Sequence, residues 1–83
     1  GAYLYSAILS RARLDNAALT GAKLDNANLD SANLDNAIFL ATDLRTTQGL
    51  TQTQLEGGNS PFICNAPLPE NIEIDGGKER DCD

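Results

Sequence analysis

Apolar and small residues recur along the first half of the chain at spacings of two, three, two and three. In LDNANLDSANLDNA, residues 24–37, Ala27 stands two places before Leu29, and Ala32 follows Leu29 by three. A helix advances about 500° in five residues, so leucines at that interval would smear around its cylinder. A plain strand keeps one face only at even spacings. The pattern fits a short extended piece with two inward residues, then a bend that resets the phase. Repeated, it makes a coil.

Read from Ala2, the pentads are AYLYS, AILSR, ARLDN, AALTG, AKLDN, ANLDS, ANLDN, AIFLA and TDLRT, nine in a row over residues 2–46. Their centres are Leu4, Leu9, Leu14, Leu19, Leu24, Leu29, Leu34, Phe39 and Leu44. The small position holds alanine from Ala2 to Ala37, and Thr42 is the exception. Short-period repetition at one fixed phase is the mark of a solenoid, in which each turn buries its inner residues against the next.

The A(N/D)LXX register of residues 2–46 resembles the pentapeptide-repeat family. That resemblance implies an all-β solenoid, a right-handed quadrilateral β-helix with four pentads per coil and strands stacked about 4.8 Å apart. The small residue and the Leu or Phe would point inward and the other three positions outward. Leu4, Leu24 and Leu44 would then share one interior column, and Leu9 with Leu29, Leu14 with Leu34, and Leu19 with Phe39 the others.

Stacking pentads four apart gives four outer sides. One carries Asp15 over Asp35 beside Arg13, and another Ser10 over Asp30. A third runs from Tyr3 and Tyr5 through Lys23 and Asp25 to Asp43 and Arg45. The fourth is nearly uncharged, with Ala18 and Thr20 next to Ile38 and Leu40. Ile38 and Leu40 occupy places that are usually polar, so the C-terminal tail is expected to fold over them, a partner being the alternative.

After Thr46 the text changes. In GLTQTQLEGG, Thr51 and Gln54 have capping-box spacing, and Leu50 and Leu55 have that of a hydrophobic staple. With Gly57 and Gly58 to end it, this segment predicts one or two helical turns over residues 47–57, covering the last tier of the coil. It is similar to the GLT-x-x-QL segment that follows the repeats in many family members. Residues 58–83 read as an irregular tail, punctuated by Pro61, Pro67 and Pro69. ICNAPLPENIEIDGGKERDCD resembles a C-terminal segment of cyanobacterial and chloroplast family members with a Cys-Asn and a closing Asp-Cys. On that resemblance Cys64 and Cys82 are expected to be joined, in an oxidising compartment such as the thylakoid lumen or a periplasm. A regulatory dithiol is the rival reading.

Composition narrows the functional classes. With 83 residues the chain is one small domain, and with two Phe, two Tyr and no Trp its interior must be leucine and alanine. Arg11, Arg13, Lys23 and Arg45 nearly balance five aspartates up to residue 46, so most of the net −6 lies in the tail. Without a basic stripe, nucleic acid is not an expected partner. No apolar run approaches the ~20 residues of a membrane span, so no insertion is expected.

Ser6, Ser10 and Ser31 have no histidine to activate them, and the repeated Asp15, Asp25 and Asp35 sit in similar settings rather than as a catalytic pair. Two cysteines without histidine make no structural zinc site, and stacked Asp15 and Asp35 make no calcium cage of six to eight oxygens. No catalytic residue, cofactor or metal is therefore expected. The reading is a non-catalytic scaffold or protein-interaction module. The alternative is a topoisomerase-binding DNA mimic, as some family members are. A mimic needs charge spread along a long rod, so this chain is expected to leave gyrase supercoiling unchanged in a supercoiling assay. The chain opens in phase at Ala2 without an initiator Met, so upstream coils or an end-to-end homodimer are expected at the first tier.

Overall fold

The local rule of the repeat is a turn. In the computed structural model, which describes residues 3–56 and 59–82, every central carbonyl from Leu4 to Leu34, and that of Leu44, accepts a hydrogen bond from the N–H three residues on. The bonds run from Ala7 to Leu4 at 3.1 Å through Ala37 to Leu34 at 3.0 Å. The residue just before each small position has positive φ, between 55° and 66° from Ser6 to Ala41. A turn with that bond and positive φ at its third residue is type II, where Gly and Asn fit best. This explains Asn16, Gly21, Asn26 and Asn36. The residue before the centre plays a separate part. Asn28 Oδ1 accepts from the Asp30 N–H, Asn33 Oδ1 from Asp35 and Asp43 Oδ1 from Arg45. These Asx turns satisfy an N–H that the bonds between coils leave over.

The turns bring the chain back on itself every twenty residues. Parallel bridges join Tyr3 to Lys23, Ile8 to Asn28, Arg13 to Asn33 and Ala18 to Ile38, one on each of four successive pentads. Asn28 continues to Gln48. Strand β1 (Ile38–Leu40) pairs in parallel with β2 (Phe62–Cys64), with Phe39 opposite Ile63. A single helical turn, α1 (Gln52–Leu55), lies between them in sequence.

Side chains at the centres form the core. Leu24, Leu29, Phe39 and Leu44 are fully buried, Leu34 nearly so, and Leu19, Leu50, Leu55 and Ile63 belong to the same cluster. Leu4, Leu9 and Leu14 are only half-buried, because no described coil stacks on their outer side. Thr42 is buried in an alanine position without an orphaned hydroxyl, since its Oγ1 donates to the Leu19 carbonyl at 2.7 Å.

Two expectations need correction. The helical turn does not end the ladder. The β-bridge offset is twenty residues from Ala18 to Ile38 and twenty-four from Ile38 to Phe62, so α1 sits in a four-residue insertion within the third coil. Beyond it the ladder resumes, with the Asn36 N–H on the Asn59 carbonyl and the Leu44 N–H on Pro67. Pro61-Phe62-Ile63-Cys64-Asn65 is thus a tenth pentad with a buried proline in the small position and positive φ at Asn65. Ala66-Pro67-Leu68 begins an eleventh, Ala66 being fully buried.

The second correction follows from the first. Phe62, Ile63 and their neighbours do not fold over Ile38 and Leu40. β2 docks edge to edge beside β1, because the backbone groups of that edge need partners. Ile38 and Phe62 stay 37% and 39% exposed. Ala2 and the Gly57–Gly58 pair lie outside the described residues.

The insertion begins at Gly49, which has φ of 76°. A Cβ there would fall 2.8 Å from the Asp30 backbone Cα and N. Gly49→Ala should therefore cost about 2 kcal/mol through clash and left-handed strain together, read as a lowered urea midpoint with unchanged slope.

Candidate interaction surface

Four outer sides follow from the bridges. The first bears Tyr3 and Lys23, the second Ile8, Asn28 and Gln48, the third Arg13 and Asn33, and the fourth Ala18, Ile38 and Phe62. Each is a flat ladder whose side chains alternate between core and solvent. On the fourth side Phe39 and Ile63 are fully buried, while Ile38 and Phe62 face outward next to each other. Leu40, beyond them, is half-buried. Apolar exposure also gathers on the first coil, with Tyr3 78% and Ile8 84% exposed, and the Tyr3 and Tyr5 rings 6.1 Å apart.

Two ion pairs form on these sides among the described residues, each within one pentad. Arg13 meets Asp15 at 3.3 Å, and Arg45 meets Asp43 at 2.8 Å. Hydrogen bonds from Arg45 hold the Asp43 carboxyl below its ordinary value, against a smaller opposing effect of burial. The sign is that of a depressed acid: this stabilisation is present above the ordinary carboxylate range and fades as pH falls through the lowered value. The pair is exposed, so its contribution is small. Arg45 and Glu70 also flank an open cleft of about 550 Å³ lined by Asn26, Thr46, Thr47 and Leu68. Its polar lining is partly engaged within the chain, the Thr47 hydroxyl donating to the Leu44 carbonyl and Arg45 to Asp43.

The later coils end in side chains that replace missing backbone. Gln54 accepts the Thr51 N–H at 2.7 Å, as the capping spacing predicts. Its Nε2 also donates to the carbonyls of Leu29 and Ala32, at 2.9 and 3.0 Å. The Leu29 carbonyl also accepts the Ala32 N–H of its own turn, whereas the Ala32 carbonyl, unlike those of Ala27 and Ala37, receives no backbone N–H from the third coil, and the carboxamide stands in for it. Asp81 acts likewise on β2: its Oδ2 accepts the Ile63 N–H at 2.9 Å and its own N–H donates to the Ile63 carbonyl at 2.8 Å. Arg80 bonds Asp81 at 3.1 Å and donates to the carbonyls of Leu55 and Pro61. Cys64 and Cys82 lie at disulfide distance with their Cα atoms 4.9 Å apart, which holds this clasp against the third coil.

Sequence reasoning located Leu50, Thr51, Gln54 and Leu55, and the structure brings them together at α1, with Leu50 and Leu55 buried. It missed Arg80, Asp81 and the pentads of the tail. The signal for the pentads was present, since Pro61, Ile63, Ala66 and Leu68 keep the two, three, two spacing. No group of three or more potential metal ligands is gathered among the described residues. No helix there is long and apolar enough to cross a membrane.

A parallel β-coil built from five-residue units is a repeat architecture, and sequence comparison agrees. The family described as Pentapeptide repeats matches residues 1–36 and 12–47, with eight copies. The match covers more than half of the chain, which belongs to the pentapeptide-repeat family. Comparison with curated proteins and with solved structures gives no match.

Proposed function

We propose that the chain is a non-catalytic scaffold or protein-interaction module. In this reading it is a right-handed square solenoid whose flat sides are offered to a protein partner. The observation that carries the reading is the fourth side, where Ile38 and Phe62 stand exposed on a ladder backed by the buried Phe39 and Ile63. A rigid flat face with an apolar strip suits a protein surface, since its ordering is already complete before binding. The absence of histidine from the sequence, and cysteines held as a pair, support a role without nucleophilic chemistry.

The Cys64–Cys82 pair is compatible with an oxidising compartment. The resemblance of the tail makes the thylakoid lumen or a periplasm the proposed location. A photo-crosslinking residue placed at position 38 or 62 should capture one common protein in an extract of that compartment. The same residue at position 33, on the third side, should not. Phe62→Asp should abolish capture while leaving the melting temperature within a few degrees of the unaltered chain. Equal capture from every side, or none from positions 38 and 62, would overturn the reading.

A further inference from the structure

We propose that Asp75–Gly76 is a modification site, where the chain converts spontaneously to an isoaspartyl linkage and the conversion loosens the clasp on the third coil. Aspartate and asparagine carry a side-chain carbonyl carbon that the next backbone nitrogen can attack, and the repeat is full of both. Attack requires that nitrogen to give up the bond its N–H makes. In the coil that N–H is engaged. Asn16, Asn36 and Leu44, which follow Asp15, Asp35 and Asp43, donate to the carbonyls of Asp35, Asn59 and Pro67. Asn26, which follows Asp25, donates to Thr46 Oγ1 at 3.2 Å. After Asn16, Asn26 and Asn36 the next N–H closes the turn, at 3.0, 2.9 and 3.0 Å. The ladder thus protects its own corners.

Asp75–Gly76 lies outside that protection. Asp75 is exposed, and among the described residues its carboxylate has no partner and the Gly76 N–H no acceptor. The turn bond passes over them, from the Gly77 N–H to the Ile74 carbonyl at 3.0 Å. Gly76 has φ of 85° and brings no side chain to crowd the approach to its nitrogen. A Cβ on Gly77 would meet nothing within 4 Å, so the turn is open to water there. Asp30 is also followed by an unengaged N–H, but that of Ser31, whose Cβ crowds it.

The conversion balances with water alone. The Gly76 nitrogen bonds to Asp75 Cγ and gives up its proton. One oxygen of the protonated carboxyl leaves with that proton as water, and a succinimide remains. Water then adds to either imide carbonyl. Addition at the former side-chain carbon breaks the new bond and restores aspartate. Addition at the main-chain carbon breaks the original peptide bond, so the chain runs through Cβ and Cγ with the carboxylate left on Cα. One more backbone atom then enters a turn without slack. A Cβ on Gly76 would already fall 2.8 Å from the Arg80 Cα, and the Glu79 N–H is bonded to the Gly76 carbonyl at 3.1 Å. Displacing Arg80 pulls Asp81 away from both backbone groups of Ile63.

Cleavage after Arg45 and Lys78 releases peptide 46–78, in which Asp75 is the only aspartate. From disulfide-intact chain kept for weeks at neutral pH, then reduced and digested, this peptide should elute as two species of equal mass. Equal mass sets them apart from deamidation of its asparagines, which adds mass. The new species should accept a methyl group from an isoaspartyl carboxyl methyltransferase. Peptides 14–23 and 24–45, which hold Asp15, Asp25 and Asp35, should stay single unless the chain is kept in urea. Asp75→Glu keeps the charge but closes the ring poorly, and should leave 46–78 single. In the converted chain the Ile63 amide should exchange its hydrogen faster, having lost Asp81. A single 46–78 species from the folded chain, conversion at Asp25 or Asp35 as fast as at Asp75, or two species from Asp75→Glu would each overturn the modification site. An unchanged Ile63 exchange rate after conversion would overturn its link to the clasp. None of these outcomes bears on capture from positions 38 and 62, so the two readings fail separately.

Discussion

Leu29→Ala should destabilise the chain by about 2–5 kcal/mol, the range for truncating a fully buried leucine whose cavity collapses poorly. Collapse is hindered by the backbone around the site. The Leu29 N–H is bonded to the Gln48 carbonyl at 2.7 Å, and Asn28 is bonded to Ala7 and Leu9 at 2.9 Å each, so the walls are held at ladder spacing on both sides. The same substitution at Leu9, in the same column but half-buried, should cost about half as much, because less surface returns to water. Asp30→Ala, next in sequence but outward, should stay within about half a kcal/mol of neutral. Urea unfolding of the three variants checks the series. Equal losses at Leu29 and Asp30 would mean that the inward and outward positions are wrongly assigned.

Replacing Cys64 and Cys82 together by serine should cost about 3 kcal/mol in the chain-entropy model of a crosslink. The bridged residues are eighteen apart in sequence, and the stretch between them is rich in Pro, Gly and charge, with Ala66, Pro69 and Ile72 its main buried residues. Packing alone therefore holds it weakly. Without the crosslink Asp81 and Arg80 must find Ile63, Leu55 and Pro61 unaided, and the loop-closure entropy returns to the unfolded chain. Urea melts with and without reductant should separate by the same amount as the serine variant. Mass spectrometry of unreduced protein should show two hydrogens fewer than the reduced chain. Two freely alkylated thiols in protein prepared under oxidising conditions would defeat both the bond and the proposed compartment.

The two kinds of loss differ in how legible they are in the chain. Leu29 announces itself through a period that neither helix nor plain strand can satisfy, so its inward position follows from spacing alone. Asn16, Asn26 and Asn36 are as readable, since each marks a corner that requires positive φ. Arg11 and Ala41 occupy the same conformation without the residue type that would disclose it. Their place is known only from the repeat around them. Gln54 was readable as a capping residue from its distance to Thr51, yet its bonds to Leu29 and Ala32 span more than twenty residues.

By itself the sequence determined the pentad coil, its interior columns and the outward polar positions over residues 2–46. Each of these depends on contacts that repeat at one fixed interval, and a local period is sufficient to specify them. The tertiary structure decided the rest. It placed α1 as an insertion and carried Pro61–Leu68 on as further pentads. It left Ile38 and Phe62 uncovered, and it made Asp81 and Arg80 the clasp of the third coil. The physical reason is common to all four. Once the period is interrupted by four residues, register is set by which unpaired backbone edge the returning chain can satisfy, and that edge exists only after the earlier coils have folded.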